Sequence, residues 1–140
     1  MGLAGGLGVM LLMPLKALAA VWNREVFEST ELAGAFKGLQ AETQSPSQQI
    51  DLKAPDRAEN GAVVQIEVSS RIPGTEAIAI LVDHNPTPLI ANFLFSQGTE
   101  PFVVTRIKMA ESSNVRAVAK VGDRYYEAMR FVEVLENGCN

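Results

Sequence analysis

The sequence holds a single cysteine, Cys139, in the segment Leu135-Glu136-Asn137-Gly138-Cys139-Asn140. A lone thiol closes no internal disulfide, and on a tail it adds nothing to a packed core. Its chemistry points outward. It can enter another protein's active site, carry a group covalently and return. The thiolate is the reactive form. Glu133, Glu136 and a carboxylate on Asn140 are close to it in sequence, and negative charge disfavours the thiolate. The free thiol is therefore expected to be a sluggish nucleophile, activated only inside a positively charged pocket. Alkylation rates measured against pH check this. An apparent pKa well below that of a model thiol would rule it out.

Other chemistry-bearing residues are sparse. His84 is the only histidine, in Asp83-His84-Asn85-Pro86. Metal centres usually draw on several His or Cys ligands at set spacings, and here there is one of each, far apart. A nucleophile–base pair of Cys139 with His84 is conceivable, but nothing in the sequence sets its geometry. The Asp-His-Asn-Pro chemistry itself reads as a strand-ending turn. Glu59, Glu67, Asp83, Glu100 and Glu111 are dispersed over expected turns and solvent faces, so no carboxylate pair stands out for acid–base work. No catalytic residue, metal ligand or cofactor is assigned. Gly2, Gly5, Gly6 and Gly8 lack the strand-and-helix setting of a phosphate loop. Cys139 is two residues from the end, where a prenylation box needs it four from the end.

The formal net charge is −4, and the 12 Lys and Arg residues are scattered. Nucleic-acid binding needs clustered basic residues, so that partner class is excluded. The first residues differ from the rest. Leu3 to Leu15 is apolar and glycine-rich, and Ala17-Leu18-Ala19 offers a small-residue cleavage site. Residues 1–19 read as a secretory signal peptide whose positive n-region is missing. The glycines, Pro14 and Lys16 weaken the rival reading as a membrane span. An odd cysteine in an exported chain implies intermolecular pairing or a free reactive thiol.

The elements that would position the thiol follow from periodicity. Trp22 to Leu39 has helical spacing, with Ser29 and Thr30 able to cap a helix through Glu31–Leu39 and Gly38 near its end. Gln40 to Gln49 is polar and reads as linker. Strand patterns then cover 62–68, 76–82, 89–95, 102–109, 114–121 and 125–135, with Phe131 and Val132 central in the last. Asn60-Gly61 and Gly122-Asp123 mark turns. The fold class is mostly β: an immunoglobulin-like antiparallel β-sandwich with a short N-terminal helix and a flexible C-terminal arm. The organisation is 1–19 signal peptide, 20–45 helical segment and linker, 46–136 sandwich domain and 137–140 arm.

Several segments resemble the SoxY family, the sulfur carriers of bacterial thiosulfate oxidation. Ile50-Asp51-Leu52-Lys53-Ala54-Pro55, Ala58-Glu59-Asn60-Gly61 and the strand Val63 to Val68 look like that family's opening. His84-Asn85-Pro86-Thr87-Pro88-Leu89-Ile90-Ala91-Asn92-Phe93 is similar to its N-P-x-P…F segment. Thr105-Arg106-Ile107-Lys108 and Asn114-Val115-Arg116-Ala117-Val118-Ala119 also fit. The likeness runs from about Phe27 to the Gly138-Cys139 pair. It implies an immunoglobulin-like sandwich in the periplasm, free of the membrane after signal cleavage and paired with a SoxZ-like subunit. It further implies a carrier that is not itself an enzyme. Cys139 would be the covalent sulfur attachment point, on an arm of Asn137, Gly138 and Asn140. A haem-containing enzyme would conjugate thiosulfate to it, a hydrolase would release sulfate, and a sulfane dehydrogenase would oxidise the remaining sulfur.

The arm departs from the family's Gly-Gly-Cys-Gly-Gly. Asn137 and Asn140 stand where glycines are usual, and the last glycine is missing. Asparagine still tolerates positive φ. Counted from Leu135, Cys139 would reach on the order of 13–14 Å. Two alternatives stay open: a SoxY-like carrier for another periplasmic oxidation system, and a non-covalent immunoglobulin-like binding module whose cysteine makes an intermolecular disulfide.

Overall fold

Alternation of apolar and polar residues builds the second, smaller sheet. β2 (Ile50–Lys53) and β4 (Val64–Ser70) bury every second residue almost without exception. Successive side chains of a strand point to opposite faces, so this pattern makes one apolar face. With β7 (Phe102–Ile107) they form a sheet of order β2-β4-β7. The computed structural model describes residues 27–136. In it the larger sheet runs β1-β9-β8-β5-β6, with β3 also paired to β9. Its strands are β1 (Gln44–Pro46), β3 (Arg57–Ala58), β5 (Ala77–Val82), β6 (Leu89–Leu94), β8 (Ser113–Val121) and β9 (Arg124–Val134).

The two sheets close on a core of Val64, Ile66, Val68, Ile78, Ile80, Val82, Ile107, Met109, Val115, Ala117 and Val132. Fully burying each larger aliphatic side chain contributes about 1.5–3 kcal/mol. The immunoglobulin-like sandwich read from the strand pattern is the fold found. Its ladders are antiparallel except at β9, where β1 and β3 both pair in parallel. β8 and β9 join through Gly122-Asp123, with Gly122 at φ 59°. An L side chain there would be strained, which is why glycine suits this tight hairpin.

A second apolar layer lies on the outer face of the larger sheet. Helix α1 (Leu32–Gly38) packs Ala35 and Phe36, with Ala41 just beyond, against Ala79, Leu81, Leu89 and Val118. β5 is thereby covered on both faces, and all six of its residues are buried. That explains why its sequence is a continuous apolar run rather than an alternation.

Several expectations are corrected here. α1 starts at Leu32 after Glu31, which makes no side-chain cap; Ser29 Oγ donates to Glu31 O at 3.0 Å instead. The segment 40–49 is not all linker. Gln44–Pro46 is a strand, and Ala41 is fully buried. Phe131 is not central to the core but 57% exposed, while its neighbour Val132 is fully buried. The expected signal peptide, and the Trp22–Val26 start of the expected helix, lie outside the described residues.

The helix ends in a Schellman motif. Ala41 N–H donates to Phe36 O at 2.8 Å and Gln40 N–H to Lys37 O at 3.0 Å. The left-handed residue is Gln40, at φ 62°, and not Gly38. Glycine is the usual occupant of this position. Gln40→Gly is expected to stabilise the domain by roughly 0.5–1 kcal/mol, by removing left-handed strain. Denaturant titration should show a higher midpoint at unchanged slope.

Candidate functional site

Cys139, with Asn137, Gly138 and Asn140, lies outside the described residues. The structure does describe the place where that segment leaves the sandwich. Four pieces of chain converge there: the end of β9, the turn 58–63, the loop 108–113 and the turn 83–86.

The end of β9 is held on both sides. β3 pairs with it in parallel, matching Arg57 to Glu133 and Ala58 to Val134. Glu133 N–H donates to Asp56 O at 2.9 Å, and Leu135 N–H to Ala58 O at 2.9 Å. Gly61 N–H donates to Glu136 O at 2.9 Å. From the loop 108–113, Ser112 Oγ accepts from Val134 N–H at 2.8 Å. The chain is therefore fixed to Glu136, one residue beyond the point assumed from the sequence. Three residues of sequence separate this anchor from Cys139, a span of at most about 10–11 Å.

The flanking loops are cross-linked by polar side chains. Asn85 Nδ2 donates to Lys108 O at 2.7 Å, and its Oδ1 accepts from Ala110 N–H at 2.9 Å. His84 does sit in a strand-ending turn. Its Nδ1 is 3.0 Å from Ser112 O and 3.5 Å from Glu111 Oε1. A carbonyl only accepts, so Nδ1 carries the proton and donates to it. His84 thus belongs to this end of the molecule, through Ser112 and Val134. Among the described residues, no cluster of three or more metal-ligating side chains occurs.

Two ion pairs flank the exit. Arg57 Nε lies 3.1 Å from Glu133 Oε2, and Arg130 Nη2 lies 2.9 Å from Asp56 Oδ1. Both pairs are exposed and contribute little to stability. Beside them, β9 shows apolar side chains to solvent. Met129 and Phe131 alternate on the outer face of the sheet, and Leu135 follows at 55% exposure. Glu133, on the same face, separates Phe131 from Leu135.

One ionic group was not anticipated. Asp83 is not one of the dispersed surface acids. Arg116 donates to it through Nε at 2.6 Å and Nη2 at 2.8 Å, and through Nη1 to Glu127. The guanidinium lies 6.0 Å from the Phe36 ring centroid, within cation–π range. Its hydrogen bond to Asp83 holds Arg116 even more firmly protonated than usual; burial opposes this, and Glu127 adds to it. The cluster ties the turn after β5 to β8 and β9, beside the helix residue Phe36. The sequence did not single it out: Arg116 shares the outward face of β8 with Asn114, Val118 and Lys120, the usual mixture of a solvent-facing strand.

Comparison with known proteins bears on most of the chain. The family model of the sulfur oxidation protein SoxY matches residues 35–139. The solved structure of the sulfur carrier protein SoxY from Chlorobium limicola f thiosulfatophilum is similar, with a TM-score of 0.69 and 33% sequence identity. It covers 81% of this chain and 99% of that one. A lytic polysaccharide monooxygenase of Jonesia denitrificans overlaps at a TM-score of 0.42 and 15% identity, over 57% of this chain and 58% of that one. That overlap is too weak to carry an argument. None of the curated proteins compared with the chain matches it.

Proposed function

The chain belongs to the SoxY family, and from that premise we propose that it is a covalent sulfur carrier of a thiosulfate-oxidising system, with Cys139 as the attachment atom. The observation that carries the reading is that the family match runs to residue 139 and takes in the only thiol of the sequence. The domain below it supports a carrier role by its form: a rigid sandwich whose last strand is fixed until three residues before that thiol.

Joining a thiolate to thiosulfate makes an S–S bond and releases two electrons. A separate redox protein must accept them, and a haem-containing conjugating enzyme fits. A hydrolase would use water to release the terminal sulfonate sulfur as sulfate, and a dehydrogenase would take electrons from the remaining sulfane, both on the same cysteine. The carrier's thiol holds the group, and the carrier catalyses none of these steps itself. The reading places the protein in the periplasm, after removal of residues 1–19, in a heterodimer with a SoxZ-like subunit. Asn137, Gly138 and Asn140 form the arm.

Intact mass spectrometry of protein purified from its native host tests this. Sulfane, sulfonate or thiosulfonate adducts localised to Cys139 are the expected result. A stable intermolecular disulfide as the sole modified form would instead favour a binding module.

A further inference from the structure

Resting on the carrier reading, we propose that the turn Ala58–Gly61 is a clamp that sets the working length of the arm. Regular strand ends at Val134. The hydrogen bonding does not. Leu135 N–H donates to Ala58 O, and Glu136 O accepts from Gly61 N–H, each at 2.9 Å. The side chains of these two residues are exposed, so burial does not hold them. Ordering exposed residues costs conformational entropy that no buried side chain offsets. Two backbone hydrogen bonds hold them nonetheless.

The clamp is itself fixed from behind. Gly61 O accepts from Met109 N–H at 2.7 Å, and Met109 is fully buried. Asn60 Oδ1 accepts from Ala62 N–H at 2.8 Å, an Asx turn that presents the Gly61 amide. Opposite it, Ser112 Oγ holds Val134 N–H. Gly61 is buried and donates from its backbone alone. It is a positioning residue: it acts on the thiol by deciding which residue the tether starts from.

The consequence is metric. With Glu136 held, the tether is three residues, about 10–11 Å extended; with Glu136 released it gains one residue, about 3.5 Å. Misplacement of a reacting atom by about 1 Å can cost on the order of 100-fold in rate. A clamp that shifts the origin by one residue therefore decides whether the sulfur reaches the reacting atoms of a partner enzyme.

A length-compensation experiment tests this in the native host, with Cys139 adduct occupancy read by intact mass. Deleting Asn137 draws the thiol in by one residue, and occupancy should fall at least about 10-fold. Gly61→Pro removes the donor to Glu136. Combined with the deletion, it should restore occupancy to within about threefold of the parent, a recovery that a purely structural role for Gly61 would not produce. Asn60→Ala, which loosens the same turn, is the second variant should the proline variant not fold, and it should rescue likewise. In the parent, hydrogen exchange should show Gly61 and Leu135 amides protected well above coil rates. A folded double variant that loads no better than the deletion alone overturns the clamp, as does a Gly61 amide exchanging at the coil rate. Absence of any adduct on the parent's Cys139 counts against the carrier reading instead, and the exchange measurement still decides the clamp.

Discussion

Cys139→Ser is expected to abolish sulfur loading completely while leaving the domain's thermal midpoint unchanged. A serine hydroxyl titrates far above any working pH and forms no stable bond to a sulfane or sulfonate sulfur, so no adduct survives the exchange. The fold should be indifferent. Among the described residues, the core ends at Val134 and the last backbone anchor is at Glu136. Intact mass from the native host and a thermal melt together check both halves. An adduct retained on the serine variant would place the sulfur elsewhere and defeat the carrier reading. A large drop in midpoint would mean that residue 139 packs against the domain.

Arg116→Ala is expected to be the most damaging single change among the ionic residues. It leaves Asp83 and Glu127 with no cation between them. Their side chains are only 13% and 14% exposed, and that of Arg116 is 20% exposed. Removing one member of a buried ion group costs about 3–5 kcal/mol; partial solvation here reduces this to roughly 2–4 kcal/mol. For a domain of this size that lowers the midpoint by roughly 8–15 °C. Replacing the whole cluster, as Arg116→Met with Asp83→Leu and Glu127→Leu, should bring stability back to within about 1 kcal/mol of the parent, because no orphaned charge remains. Circular dichroism melts of the two variants distinguish the cases. A single variant melting within 2–3 °C of the parent, on the order of half a kcal/mol, would mean that water already screens the cluster.

What the sequence made legible was set by periodicity. β4 and β8 alternate, and their inward residues Val64, Ile66, Val68, Val115, Ala117 and Ala119 are buried as expected. β5 was visible as an apolar run because both of its faces are covered. The short parallel pieces β1 and β3 were not visible. Two or three residues carry no period, and their strand state comes from pairing with β9. Phe131 misled because hydrophobicity was read as burial, whereas its alternation partner Val132 holds the inward position. Asp83 was hidden because its partner Arg116, which also holds Glu127, is 33 residues away and is reached only when β8 aligns beside β5 and β9. At the site, the thiol was legible from composition alone. The anchors were not, since Ala58, Gly61 and Ser112 act largely through backbone groups and one hydroxyl, which any sequence offers in quantity.

The placement of β9 has a mechanical consequence. A thiol held covalently inside another protein converts the random motion of two bodies into tension on a short tether. That tension enters the domain at Glu136 and runs along the strand axis. β9 lies inside its sheet, with β8 antiparallel along one flank and β1 and β3 parallel along the other. Pulling lengthwise on such a strand loads its ladder in shear, so many bonds must yield together rather than unzip singly. Forced unfolding is governed by the unfolding barrier, and shear loading keeps that barrier high. On the carrier reading, the pull of a held thiol would enter where the fold can bear it without coming apart.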